Sequence, residues 1–190
     1  MKRNVTLFGM VVMLLVTMNV VFAQVEQVTQ LDVTKVKKMQ FEERDGNLFI
    51  KSHLLFVNGS DKDVKLRNFT MDIALKISEV PKEGEEQKEP TVLPLGATTI
   101  VESVIPAAVG DQKGELLQEI AIDLGPKNDD TNAKVFTLFN VIGDPQRYFT
   151  MTLNGSGEVG IKHDKGWVYQ KGISVEFEFK PSIQQEWLIL

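Results

Sequence analysis

The chain has 190 residues, 43% of them apolar and 25% charged, with no cysteine, two histidines and a formal charge of −5. That length suits one ordinary domain, and the balance of apolar and charged residues excludes wholesale disorder. Disulfide scaffolds, thiolate metal sites and cysteine nucleophiles are excluded outright, and the acidic balance argues against nucleic acid as a partner.

The first element in chain order is an address. Lys2 and Arg3 precede an uncharged run at 5–21, and the segment closes on Val21-Phe22-Ala23, with small residues where a signal peptidase reads. As a helix that run reaches about 26 Å, short of the roughly 30 Å hydrocarbon core of a membrane. The reading is a signal peptide at 1–23, an uncleaved anchor being the alternative. Its removal takes Lys2 and Arg3 with it and leaves a single domain at 24–190 with a charge of −7. No later segment reads as a membrane helix, so the expected location is outside the cytoplasm, periplasmic or extracellular.

From Gln24 onward the dominant period is two, which predicts strands with one face on a core and one in water. A weak strand at 29–41 is followed by a dense one at 48–57. There Leu54, Leu55, Phe56 and Val57 are consecutive, which predicts a central strand buried on both faces. After a weak candidate at 64–67, the segment 69–77 points Phe69, Met71, Ile73, Leu75 and Ile77 inward. The acidic run 79–90 reads as an exposed connection. Weak strands follow at 98–105 and 116–124, and later at 148–153 and 167–170. The clearest alternation comes last, with Ile173, Val175, Phe177 and Phe179 on one face and Ser174, Glu176, Glu178 and Lys180 on the other. Asp45-Gly46, Asn58-Gly59 and Asn154-Gly155 read as tight hairpin turns, and Pro81, Pro90, Pro94, Pro106, Pro126 and Pro145 as parts of connections.

One stretch breaks the period. Val135, Leu138, Phe139 and Ile142 fall at helical spacing, Asp129, Asp130, Thr131 or Asn132 can cap the start, and Gly143 with Pro145 ends it. The prediction is one short helix over 131–142 in an otherwise all-β chain, with a β-sandwich as the leading architecture.

Several motifs look chemical. Gly155-Ser-Gly-Glu-Val-Gly160 matches the dinucleotide fingerprint in letters, but no helix follows to present amides to a pyrophosphate, and a glycine-rich hairpin accounts for it better. His163 and Asp164 are adjacent, so on a strand they point apart; His53 shares the alternation of Leu55 and Val57. Asp123, Asp129, Asp130 and Asn132 offer oxygen ligands without the calcium-loop spacing, and capping explains them more simply. A carboxylate pair among Asp123, Glu176 and Glu178 is the hydrolase alternative. Asn58, Asn68 and Asn154 each open a glycosylation acceptor triplet. No catalytic, cofactor-binding or metal-binding set is assigned, and no cofactor is expected. The apolar end at 183–190 predicts a last docked strand. Trp187, Leu188, Ile189 and Leu190 are the alternative contact for a partner.

The run Leu54-Leu-Phe-Val-Asn-Gly-Ser-Asp-Lys-Asp-Val-Lys-Leu-Arg67 resembles the signature of the water-stress and hypersensitive-response domain, the type 2 globular branch of the late-embryogenesis-abundant proteins. The order that follows is similar too: Thr98-Thr-Ile-Val-Glu-Ser-Val-Ile105, then the expected helix, then Tyr148-Phe-Thr-Met-Thr-Leu-Asn-Gly155. Gly59 and Ser60 stand where the family carries proline and a second asparagine. The resemblance implies a fibronectin-III-like or immunoglobulin-like sandwich with one helix, exported or membrane-attached, not an enzyme, and associated with stress protection. The functional expectation is an exported, non-enzymatic domain that binds or protects a protein partner. An accessory subunit of a cell-envelope or outer-membrane assembly is the alternative, and a small outer-membrane barrel is a further one.

Overall fold

The computed structural model describes residues 30–81, 84, 86–144, 146–179 and 188–189. The expected signal peptide at 1–23 lies outside the described residues, as do Trp187 and Leu190. β1 (Leu31–Arg44) and β2 (Asn47–Asn58) form an antiparallel hairpin. Its turn holds Asp45 at φ 53° and Gly46 at φ 78°, the double positive φ that matches the twist of the flanking strands. β2 is internal, between β1 and β5 (Gly114–Pro126). Its burial nevertheless alternates: Ile50, Ser52, Leu54 and Phe56 are buried, while Lys51, His53 and Leu55 are half-buried. The expectation of burial on both faces is corrected, because an antiparallel sheet packs only its inner face on a core; consecutive burial is confined to Phe56, Val57 and Asn58.

β3 (Val64–Glu79) joins what sequence reads as two strands. Asn68 sits at φ 45° where the register shifts between Arg67 and Thr70, so a bulge restarts the alternation without ending the strand. Val64, Leu66, Phe69, Met71, Ile73 and Leu75 then all face the core. A second bulge keeps β7 (Gly166–Phe179) whole in the same way, and β6 (Arg147–His163) runs unbulged between the two; each is longer than its sequence signal. β4 (Thr91–Ile105) contains Pro94, which sequence places in a connection. Pro94 is tolerated because it lies at the register shift opposite Ala74, where a missing amide donor breaks no regular ladder.

The strands hydrogen-bond in the order β7-β6-β3-β4-β5-β2-β1-β8, where β8 is Leu188–Ile189. Every neighbouring pair is antiparallel except β8, which runs parallel to β1 beside Met39 and Gln40. β4 and β5 are joined by one registered pair, Ala97 and Asp123. From that corner the sheet curls, and its two flanks close over one core. Phe56 of β2 meets Phe177 of β7 edge to face at 6.2 Å and 85°. Among the described residues the structure is therefore all-β with a single short helix, built as one curled sheet.

The helix, α1 (Asp129–Gly143), carries the chain from β5 to β6. Leu138 and Val141 are buried, and Phe139 stacks near Phe41 with centroids 5.2 Å apart. Its cap is Asn128, one residue before the four expected candidates; the side chain accepts from the Thr131 amide at 2.9 Å.

Two of the three expected hairpin turns are corrected. Asn58-Gly59 leaves β2 for β3, which is not its neighbour, and Asn154-Gly155 lies in the middle of β6. The β6–β7 hairpin turns instead after His163, with Gly166 at φ 121°.

Candidate functional site

Among the described residues β7 ends the strand order and pairs on one side, with β6. Alternate backbone amides and carbonyls on its other side have no strand partner among the described residues, which makes β7 an edge open to strand addition. A bulge interrupts it. The register with β6 shifts between Gly157 and Val159, and Gly172 sits there at φ 67°. Before the bulge, Trp167, Tyr169 and Lys171 lie on the outer face; after it, Ser174, Glu176 and Glu178 do.

The first half of this face is basic and aromatic. Lys65 of β3 lies over the Trp167 ring at 4.7 Å, Lys162 of β6 over the same ring at 6.0 Å, and Arg67 over Tyr169 at 4.9 Å. The rings can approach the sheet because Gly160 lies beneath them: a Cβ there would stand 2.8 Å from the Tyr169 ring. Carboxylates thread between the cations. Lys65 bonds Glu102 at 3.1 Å, Lys171 reaches Glu158 at 3.2 Å, Arg67 approaches Glu158 at 3.7 Å, and Lys162 reaches Asp63 at 3.2 Å. The bond it donates to Glu102 holds the Lys65 ammonium above its ordinary pKa.

The second half is acidic. Glu178 takes a 2.6 Å bond from Lys76, which raises the Lys76 pKa, and Glu176 stands exposed two residues earlier. Here β7 comes beside the start of β1 across a groove of about 620 Å³. Asp32, Glu176, Glu178, Lys113 and the edge of Phe177 line it.

The other residues that the sequence singles out stay apart. His53 faces Glu119 at 3.7 Å with Nδ1 buried and unbonded; His163 and Asp164 are exposed at a hairpin. Asp123 accepts from the Gly125 amide at 2.8 Å on β5, four strands from Glu176 and Glu178 in the sheet order. Among the described residues no group of three or more His, Asp or Glu is placed to hold a metal ion. Leu188 and Ile189 form β8. Edge status is what sequence reasoning missed, because strand order is set by pairings between distant segments; the alternation at 173–180 marked a strand but not its place.

No protein-family model matches the chain, and no curated protein matches it. Among solved structures, a protein from Archaeoglobus fulgidus is similar over 80% of this chain and 100% of its own, at 10% identity and a TM-score of 0.25. A protein from Arabidopsis thaliana, solved in solution, is similar over 82% of this chain and 83% of its own, at 11% identity and a TM-score of 0.29. The fold is defined by the strand pairing itself.

Proposed function

We propose that the chain is a non-catalytic, exported β-domain that works by binding a protein partner through strand addition at β7. The observation that carries this is the β7 edge itself, which has no strand partner among the described residues, carries a polar, charged outer face and ends in a groove beside the start of β1. The outward side chains of β3, β6 and β7 are ion-paired, as Lys65, Arg67, Glu158, Lys76 and Glu178 are, which suits water and not a lipid-facing belt. A role in the cell envelope, and one in stress protection of the kind the resemblance implies, are settings for the same binding act.

The test places a photo-crosslinking residue at Ser174 on β7 and, as control, at Asn132 on α1, in the native envelope. A protein adduct formed from Ser174 and absent from Asn132 is the expected result. Equal labelling from both positions, or none from Ser174, overturns the reading.

A further inference from the structure

We propose that the strand added to the β7 edge is the β7 strand of a second copy of this chain, antiparallel about a two-fold axis at Ser174, next to the bulge. This rests on the reading of β7 as the binding edge and names its partner. The polarity of the strand carries it. The end with Trp167, Tyr169 and Lys171 shares its surface with Lys65, Arg67 and Lys162. The other end lines a groove with the carboxylates of Asp32, Glu176 and Glu178; among the described residues Lys113 lines the groove with them and Lys76 bonds Glu178, so carboxylates outnumber cations there. Antiparallel self-pairing reverses one copy against the other, so each basic, aromatic end meets an acidic groove.

The bulge makes the register possible. Opposite residues of an antiparallel pair share a face. Outward residues are odd-numbered before Gly172 and even-numbered after it, as the pairing with β6 sets them. With Gly172 of each copy bulged out of the pairing, Lys171 of one copy stands opposite Glu176 of the other, Tyr169 opposite Glu178 and Ser174 opposite its own counterpart, all on the outer face. Two-fold symmetry makes each contact twice. Lys171 is 82% exposed, and its intrachain partner Glu158 also faces Arg67, so Glu158 keeps a cation when Lys171 turns outward.

Sedimentation equilibrium of the purified chain tests this, with circular dichroism confirming that each variant is folded. The expected wild type is a dimer that salt weakens. Lys171→Glu and Glu176→Lys, each alone, put like charges opposite one another twice and raise the dissociation constant on the order of a hundredfold. An equimolar mixture of the two single variants dimerises again, since every contact is then between opposite charges, and so does the double variant. If Lys171→Glu fails to fold, the Glu176→Lys variant alone still reads the contact. A wild type that stays monomeric overturns the self-pairing, as does a dimer indifferent to both reversals. A monomer that still crosslinks another protein from Ser174 leaves strand addition standing with a different partner; a monomer with no such adduct removes both.

Discussion

The ring of Phe69 on β3 occupies the space that a side chain on Gly155 of β6 would take. Gly157 is equally committed, because a Cβ there would stand 2.7 Å from the Phe69 Cα and from the Asn68 carbonyl oxygen. The glycine-rich stretch that resembles a phosphate-binding loop in letters is thus a bed for a fully buried aromatic ring.

Gly155→Ala is therefore expected to lower stability by about 1–3 kcal/mol, the usual cost of forcing extra volume into a packed core. Equilibrium urea denaturation reads it. In a Phe69→Leu background the same substitution should cost clearly less, because the ring that clashes is gone. Additive costs would show that Phe69 is not the obstacle.

Asn58 is fully buried at the end of β2, and both ends of its amide are used. Its Nδ2 donates to the carbonyls of Lys62 at 2.8 Å and Pro106 at 2.9 Å, while Oδ1 accepts from the Ser60 amide at 2.9 Å and hydroxyl at 2.8 Å. It ties the β2–β3 connection to the one after β4. Asn58→Ala should cost about 2–3 kcal/mol by stranding these groups, a fall in melting temperature of roughly 4–12 °C at this size. Asn58→Asp keeps the acceptors, loses both donors and turns a carboxylate toward two carbonyls, so it should be no better tolerated. A thermal scan in which either variant matches the wild type contradicts this.

The alternation of β3 was legible because period two records only which face each residue occupies. Strand length and neighbours were not, because both depend on distant chain. Asn68 and Gly172 interrupt the period at bulges that pairing with β6 spans, so one strand looks like two. Asn154-Gly155 looks like a turn until Phe69, far earlier in the chain, is placed against it. The helix signal held because Leu138 and its neighbours carry it locally. Its cap was missed by one residue, since any of several adjacent polar side chains satisfies the same pattern. For the candidate site, the charges on β7 were visible; that they sit on an edge was not.

Asn128 has an extended backbone, at φ −145° and ψ −178°, and its side chain satisfies the Thr131 amide. Asp129 and Asp130 follow in the first turn, where negative charge suits the helix dipole. Asn128→Ala should cost about 1 kcal/mol, and Asn128→Asp should recover most of it. Amide hydrogen exchange at Thr131 and Asn132 reads the cap directly. It should accelerate in the alanine variant while exchange at Leu138 changes only as far as global stability does.

Glu42 of β1 accepts bonds from Lys51 at 2.5 Å and Arg44 at 3.1 Å. These bonds, that of Lys51 foremost, hold its carboxyl below the ordinary glutamate pKa. A carboxyl whose folded pKa is depressed binds protons more readily unfolded, so its contribution is present above the ordinary value and lost as pH falls through the folded one. Glu42→Gln should accordingly lower stability slightly at neutral pH, and the difference from wild type should shrink and then vanish as pH falls below the ordinary glutamate range and through the folded pKa. The pair is exposed to solvent, so added salt should also shrink the difference at neutral pH. Chemical denaturation of both proteins across that range settles it; a gap that widens on acidification would reverse the sign and place the carboxyl's stabilising partners elsewhere.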